Sequence, residues 1–320
     1  MTRASGPAGA GEGLGGYRDR VRRALPAFFE PLEVAAVLPS TMLRAAELAA
    51  RGAPEGATVV TDVQTAGRGR LDRTWSAPPG TSLLLTVVLR PPLAGTEAWL
   101  ATAAAGVALV DAVREVLAGP AAVREVLGGP AAGGEVLGGP AAGGGAPARA
   151  ARGPWAVPAV GLKWPNDLLV GGRKTAGLLA EARVAGGRLE WVLLGMGVNV
   201  GQGPDGFPPE LAGQATSVAL AAGAPVDRAA LLRAWAGPFL ARYAALAAGD
   251  TARVLADYHD RLDTLGREVR ADLLGGAPVT GTAVALGPSG SLVVRTPAGR
   301  RVEVAAGDVQ HLRAGPPRGS

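Results

Sequence analysis

Only two of the 32 basic residues in this 320-residue chain are lysines, Lys163 and Lys174, and only two asparagines occur, Asn166 and Asn199. Isoleucine is absent. The composition uses arginine wherever arginine serves, so a lysine kept against that bias marks a position needing a compact ammonium rather than a planar guanidinium. Three of the four rare residues fall between 163 and 174, within the segments GLKWPND (161–167) and GRKTAGLL (172–179). A cation, a carboxamide and a carboxylate within five residues can gather and orient an anionic reactant; a plain surface turn is the alternative. A strand–turn–strand context places Lys163 and Lys174 on adjacent strands.

Two further segments carry chemistry. QTAGRGRLDRTW (64–75) alternates Arg68, Arg70 and Arg73 with small residues. Glycine lets the backbone approach a ligand closely, and guanidinium forks offer paired donors to phosphate or carboxylate. An ordinary loop or an arginine–glycine contact to RNA competes with that reading. GMGVNV (195–200) alternates glycines in a strand, which marks either a ligand lying close or tight packing against another backbone.

The composition removes several classes of chemistry. There is no cysteine, so disulfides, thiolate nucleophiles and Cys-based metal sites are excluded. The two histidines, His259 and His311, are far apart in sequence and leave little material for a His metal site or triad. A net charge of +5 with scattered arginines gives no concentrated nucleic-acid footprint, so no nucleic-acid partner is expected. The longest mostly apolar stretch, Leu100–Val110, is about half of what a bilayer needs. The start of the chain lacks the apolar core of a secretory signal. The expectation is a soluble cytoplasmic protein with no membrane partner.

The elements that must position these residues follow from periodicity and turn signals. Residues 1–30 are expected as a flexible N-terminal segment, Gly- and Ala-rich to residue 16, with a short helix over 18–29. A strand near 34–38 precedes a helix over 41–51, N-capped by Ser40. Strands at 58–61 and 81–89 flank the arginine loop, and a long helix covers 97–117. A decapeptide then recurs three times over 113–142, too short a period for a solenoid, and 118–157 is expected as a low-complexity insertion. Strands follow at 160–163, 166–170, 175–184 and 188–200. Asp227 caps a helix reaching Tyr243, and another helix covers 251–262. The catalytic domain is expected over 31–265, and the short strands and turns over 266–314 as a small SH3-like β-barrel.

Taken in order, Ser40-Thr41 opening a helix, GRGR (67–70), KWPND (163–167), KTAG (174–177) and GMGVN (195–199) resemble the biotin–protein ligase family over roughly 33–312, interrupted by the insertion. The KWPND run is the most specific of these. The resemblance implies an α+β fold: a mixed, mostly antiparallel sheet with flanking helices, like the core of class II aminoacyl-tRNA synthetases, plus the C-terminal barrel. It implies a monofunctional ligase that uses ATP and Mg²⁺ to convert biotin to biotinyl-5′-AMP, releasing pyrophosphate. Biotin then passes to a lysine of a biotin carboxyl carrier domain.

By the same likeness Ser40, Thr41 and Gln64 contact biotin, and Gly177 and Leu179 floor its pocket. Arg68, Gly69 and Arg70 form the adenylate loop, supported by Arg73 and Trp75. Lys163 and Arg70 act at the reacting centre, Asn166, Lys174 and Asn199 lie toward the nucleotide, and Asp167 is the candidate carboxylate for Mg²⁺. The sequence departs from the family pattern at Met42, where Asn is usual, and at Asp72, where Gly is common. Lipoate or octanoate transfer uses a related core. A biotin-responsive repressor would carry a DNA-binding domain ahead of the ligase; with 39 residues before Ser40, catalysis rather than regulation is expected.

Such residues suit the reaction. Joining a carboxylate to a phosphate brings two anions together, so fixed cations and positioning do the work and no protein nucleophile is required.

Overall fold

The computed structural model describes residues 14–71, 73–119, 158–273, 276–305 and 307–312. The insertion expected over 118–157 falls, beyond Gly119, outside the described residues, as do Asp72 and the first thirteen residues.

The chain runs through α1 (Leu14–Ala24), β1 (Leu32–Leu38), α2 (Thr41–Ala50), β2 (Thr58–Gln64), β3 (Ser82–Leu89) and α3 (Trp99–Ala118). There follow β4 (Val160–Lys163), β5 (Asp167–Val170), β6 (Arg173–Ala185), β7 (Arg188–Asn199), the short α4 (Val218–Ala222), α5 (Arg228–Ala247) and α6 (Thr251–Arg261). Seven strands form one sheet in the order β1-β2-β3-β7-β6-β5-β4. Only β1 and β2 pair in parallel; the other neighbours are antiparallel.

The reason for this layering is visible in β3, whose residues are all buried. Successive side chains of a strand point to opposite faces. Leu83, Leu85, Val87 and Leu89 join the large core with α3 and α5, whereas Val88 packs with Met42, Ala45, Ala49 and Leu193 beneath α2. A strand covered on both faces reads as one continuous apolar run. On the large-core side Trp235 stacks on Phe239 at 4.6 Å and donates its indole N–H to the Ala105 carbonyl at 3.1 Å, tying α5 to α3.

Two expectations need correction. The helix expected over 18–29 in the N-terminal segment covers Leu14–Ala24 instead, with a short 3-10 turn at Ala27–Phe29, and it is packed rather than flexible. Tyr17, Val21 and Ala24 recur at i, i+4 and i+7 and are buried, and Arg18 donates to the Val34 carbonyl at 3.2 Å. An apolar stripe at helical spacing finds a core to cover. Lys163 and Lys174 were expected on adjacent strands; they stand on β4 and β6, with β5 between them.

From Glu268 the chain forms a second sheet. Its strands are β8 (Glu268–Leu273), β9 (Val279–Leu286), β10 (Leu292–Arg295), β11 (Arg301–Val304) and β12 (Gly307–His311), in the order β11-β10-β9-β8-β12. All pairings are antiparallel, and among the described residues β11 and β12 are not paired with each other. Among the described residues no helix is long and apolar enough to cross a membrane.

Candidate active site

One cleft of about 1040 Å³ opens over the end of the seven-stranded sheet. Ser40, Thr41, Gln64, Arg68, Gly69, Arg70, Arg73, Trp75, Lys163, Asn166, Asp167, Lys174, Gly177, Leu179 and Asn199 all line it. Every residue given a site role from the sequence is thus brought to one cavity, although the segments holding them span some 160 positions of the chain.

At one end lies a polar floor. Ser40 caps α2, its hydroxyl accepting from the Met42 N–H at 3.2 Å. Thr41 donates through its backbone N–H and its hydroxyl to Gln64 Oε1, at 2.8 and 3.1 Å, and accepts from the buried Thr86 hydroxyl at 2.9 Å. A backbone N–H can only donate, so the Gln64 oxygen must face Thr41 and its amide nitrogen is directed elsewhere. A Cβ at Gly67 would stand 2.9 Å from that nitrogen and would also collide with the Trp75 carbonyl, so only glycine fits there.

The arginine loop is a small hairpin. Trp75 N–H donates to the Gly67 carbonyl at 2.9 Å, and Gly69 N–H to the Arg73 carbonyl at 2.7 Å. Arg68 reaches across the mouth to Glu181 on β6, at 3.0 Å. The Trp75 indole lies over Gly177 and Gly197. Its buried N–H has no hydrogen-bond partner among the described residues. Met42, one of the departures from the family pattern, fills the space above Gly195: a Cβ there would meet its sulfur at 2.6 Å.

The other wall is the turn from β4 to β5. Lys163 pairs in register with Asp167, and the Trp164–Pro165 bond between them is cis. Asn166 clips the turn to β6: its side-chain N–H donates to the Leu178 carbonyl, and Leu178 N–H donates back to the Asn166 carbonyl at 2.9 Å. Asn199 is engaged at both ends of its carboxamide, donating to the Thr216 carbonyl at 3.2 Å and accepting from Gln202 at 2.8 Å. Both asparagines therefore hold backbone segments in place.

The two lysines differ. Lys174 Nζ lies 2.7 Å from Asp167 Oδ1 and 5.9 Å from the centre of the Trp75 ring, so an anion and a π face already balance its charge. Lys163 makes no ion pair among the described residues and faces the cleft. The pairing also bears on Asp167, the candidate carboxylate for Mg²⁺. One of its oxygens is occupied by an ammonium, and the described residues contain no group of three or more His, Asp or Glu side chains arranged around a common point. The donor set does not fit a metal site built by the protein.

A further wall was not expected from the sequence. Asp263, Arg267, Gln310 and His311, from the end of α6 and the second sheet, also line the cleft. Trp164 donates its indole N–H to the Gly290 carbonyl at 2.8 Å, so a turn of the second sheet grips the lysine-bearing turn. His311 is pushed down to about 4, first by burial and then by the cations of Lys163 and Arg267, against the opposing pull of Asp263. No local pattern marks these residues; their only signal is that histidine is rare in the chain.

Residues 34–199, from β1 to the end of β7, match the model of the Biotin/lipoate A/B protein ligase family. This chain belongs to that family. Residues 264–312 match the Biotin protein ligase C terminal domain, which accounts for the second sheet at the cleft. A relative in the ligase family, the biotin–[acetyl-CoA-carboxylase] ligase of Mycobacterium tuberculosis, is 33% identical over 284 residues, 88% of this chain and 89% of that protein. Bifunctional ligase/repressor BirA of Bacillus subtilis is 34% identical over 197 residues, 62% of this chain and 49% of its own length. The match thus spans about half of that relative. The solved structure of a biotin protein ligase from Aquifex aeolicus in complex with biotin and ATP has a TM-score of 0.61 at 22% identity, covering 89% of this chain and 100% of that one, a likeness of fold.

Proposed function

We propose that this family member is a biotin–protein ligase. The observation that carries the reading is the meeting of Lys163, an ammonium without an ion-pair partner among the described residues, with the Arg68–Arg70 loop and the Ser40–Thr41–Gln64 floor in one cleft. In the first step a biotin carboxylate oxygen bonds to the α-phosphorus of ATP as the bond to pyrophosphate breaks, giving biotinyl-5′-AMP. In the second, the neutral amine of a carrier lysine attacks the acyl carbon. The amide forms, the amine loses a proton and AMP leaves.

Lys163, Arg68 and Arg70 hold the two anions together and stabilise charge on the phosphorus oxygens as it develops. The Gln64 amide and the Ser40–Thr41 turn meet the polar head of biotin, while Gly177 and Leu179 leave room for its apolar body. Gly69 lets the loop backbone approach the phosphate, and Arg73, Trp75 and Lys174 wall the nucleotide side. Asn166 and Asn199 act by holding these walls. Mg²⁺ enters only as the counter-ion of ATP, and no protein carboxylate is assigned to it.

On this reading 31–265 is the catalytic domain and 266–314 the C-terminal domain. The acceptor is a biotin carboxyl carrier domain, and the enzyme works where ATP and carboxylases are found, in the cytoplasm. Lipoate transfer is the second reading, since the family description covers both cofactors; the match to a biotin-ligase C-terminal domain favours biotin. The test is exchange of labelled pyrophosphate into ATP with biotin or lipoate. Exchange with biotin alone is expected, and exchange with lipoate alone would replace the reading.

A further inference from the structure

Thr264 sits at the junction of the two sheets, fully buried. Its hydroxyl oxygen accepts the backbone N–H of Trp164 at 2.8 Å and lies 3.0 Å from His311 Nε2 on β12. Trp164 N–H is a donor, so it cannot receive the hydroxyl proton. A buried hydroxyl proton needs an acceptor, and His311 Nε2 is the one acceptor within reach among the described residues. The Thr264 hydroxyl therefore donates to Nε2, and the imidazole carries its proton on Nδ1. The hydrogen bonds run in one direction, from the amide next to Lys163, through Thr264, to the last described strand of the chain. A second contact holds the same place: Asp263 N–H donates to the Leu162 carbonyl at 2.7 Å.

We infer that His311 is a positioning residue for Lys163, acting as the neutral acceptor that orients Thr264 against the backbone of the 163–167 turn. The groups facing it are Lys163 from β4, and Asp263 and Arg267 from the segment entering β8. Two cations among them oppose a third positive charge, which keeps the ring in its accepting form. Without that acceptor the Thr264 hydroxyl rotates, the Trp164 amide loses a fixed partner, and the neighbouring ammonium is no longer held where the two anions meet. Small misplacements of a positioned group cost rate far more than they cost binding.

The inference rests on the ligase reading for its kinetic consequences but not for its geometry, and the test separates the two. Nitrogen-15 spectra of the imidazoles in the full chain report the tautomer directly. With only two histidines present, the His259→Gln variant assigns the signals. A Nδ1–H tautomer at pH 7 is expected; a Nε2–H tautomer overturns the inference whatever the enzyme does.

In biotin-dependent pyrophosphate exchange, His311→Leu and Thr264→Val should each lower kcat by about tenfold and leave the Kd for biotin within about twofold. The double variant should be no slower than either single one, because residues acting through one chain of contacts are not additive. His311→Gln, which offers an acceptor oxygen near the Nε2 position, should recover most of the loss. Additive losses of about a hundredfold, or a Gln variant as slow as Leu, would overturn the positioning role. Absence of exchange in the unaltered chain would instead remove the ligase reading and leave the tautomer result standing.

Discussion

The indole of Trp75 lies flat against Gly197, so closely that a Cβ at 197 would stand 2.8 Å from the ring. Of the alternating glycines of β7, Gly197 is thus explained by an aromatic ring of the arginine loop, and Gly195 by the Met42 side chain. Gly197→Ala should push the indole and the loop it ends away from the sheet and lower kcat/KM by about tenfold to a hundredfold. In a Trp75→Ala background the same substitution should cost little more. Equal losses in both backgrounds would show that glycine is needed there for another reason.

Lys163 is partly exposed and makes no ion pair among the described residues. Lys163→Ala should therefore leave stability within about 0.5 kcal/mol while lowering biotin-dependent pyrophosphate exchange by at least about a hundredfold. Lys163→Arg should not restore it fully, because a guanidinium fork does not reproduce a compact point charge. Near-normal exchange in Lys163→Ala would mean that the reacting centre lies elsewhere in the cleft.

The Arg68–Glu181 pair ties the loop to β6 with both partners well exposed. Exposed pairs contribute about 1 kcal/mol at most, so Glu181→Gln should leave the melting temperature nearly unchanged. A carboxylate that competes with phosphate for Arg68 would be gone, and the KM for ATP should fall by up to about fivefold, with the difference shrinking in high salt. A rise in KM would show that Glu181 orients the arginine for its ligand.

Limited trypsin digestion tests the loop itself. Cleavage after Arg68 and Arg70 should slow when biotin and ATP are both present, because closure over an adenylate shields it from water and protease alike. Identical digestion with and without the ligands would mean that the loop does not close.

His311 predicts an acid sensitivity. The unfolded chain takes up a proton at the ordinary histidine value, about 6.5, whereas the folded chain holds this ring neutral down to about 4. Between those values the unfolded state binds more protons, so stability falls as pH falls. The urea midpoint of His311→Gln should drop less between pH 7 and pH 5 than that of the unaltered chain. Parallel drops would show that His311 does not face the desolvated, cation-rich setting described here.

Much of the site was legible in the chain because its chemistry is written in residue types. A lysine bias isolated Lys163 and Lys174, glycine spacing isolated the loop and β7, and Ser40 and Asp227 announced helix starts by the side-chain caps that the structure contains. Strand alternation and helical spacing are local, so the elements from β1 to α6 lie within a few residues of their expected bounds, except the short α4, which was not expected. Asp167 could not be assigned in this way. Its type suggests a metal ligand, but the ammonium beside it arrives from another strand.

What sequence alone determined was therefore the chemical inventory: two scarce ammonium groups, a guanidinium-rich hairpin, close-approach glycines and the family they belong to. Tertiary structure alone decided that β5 separates the two lysines, that α1 covers the core, and that the last described strand brings His311 to the turn bearing Lys163. Those relations depend on contacts between residues tens to more than a hundred positions apart. Local periodicity carries no record of them, since the same strand pattern is compatible with many neighbours and only the packed core selects one.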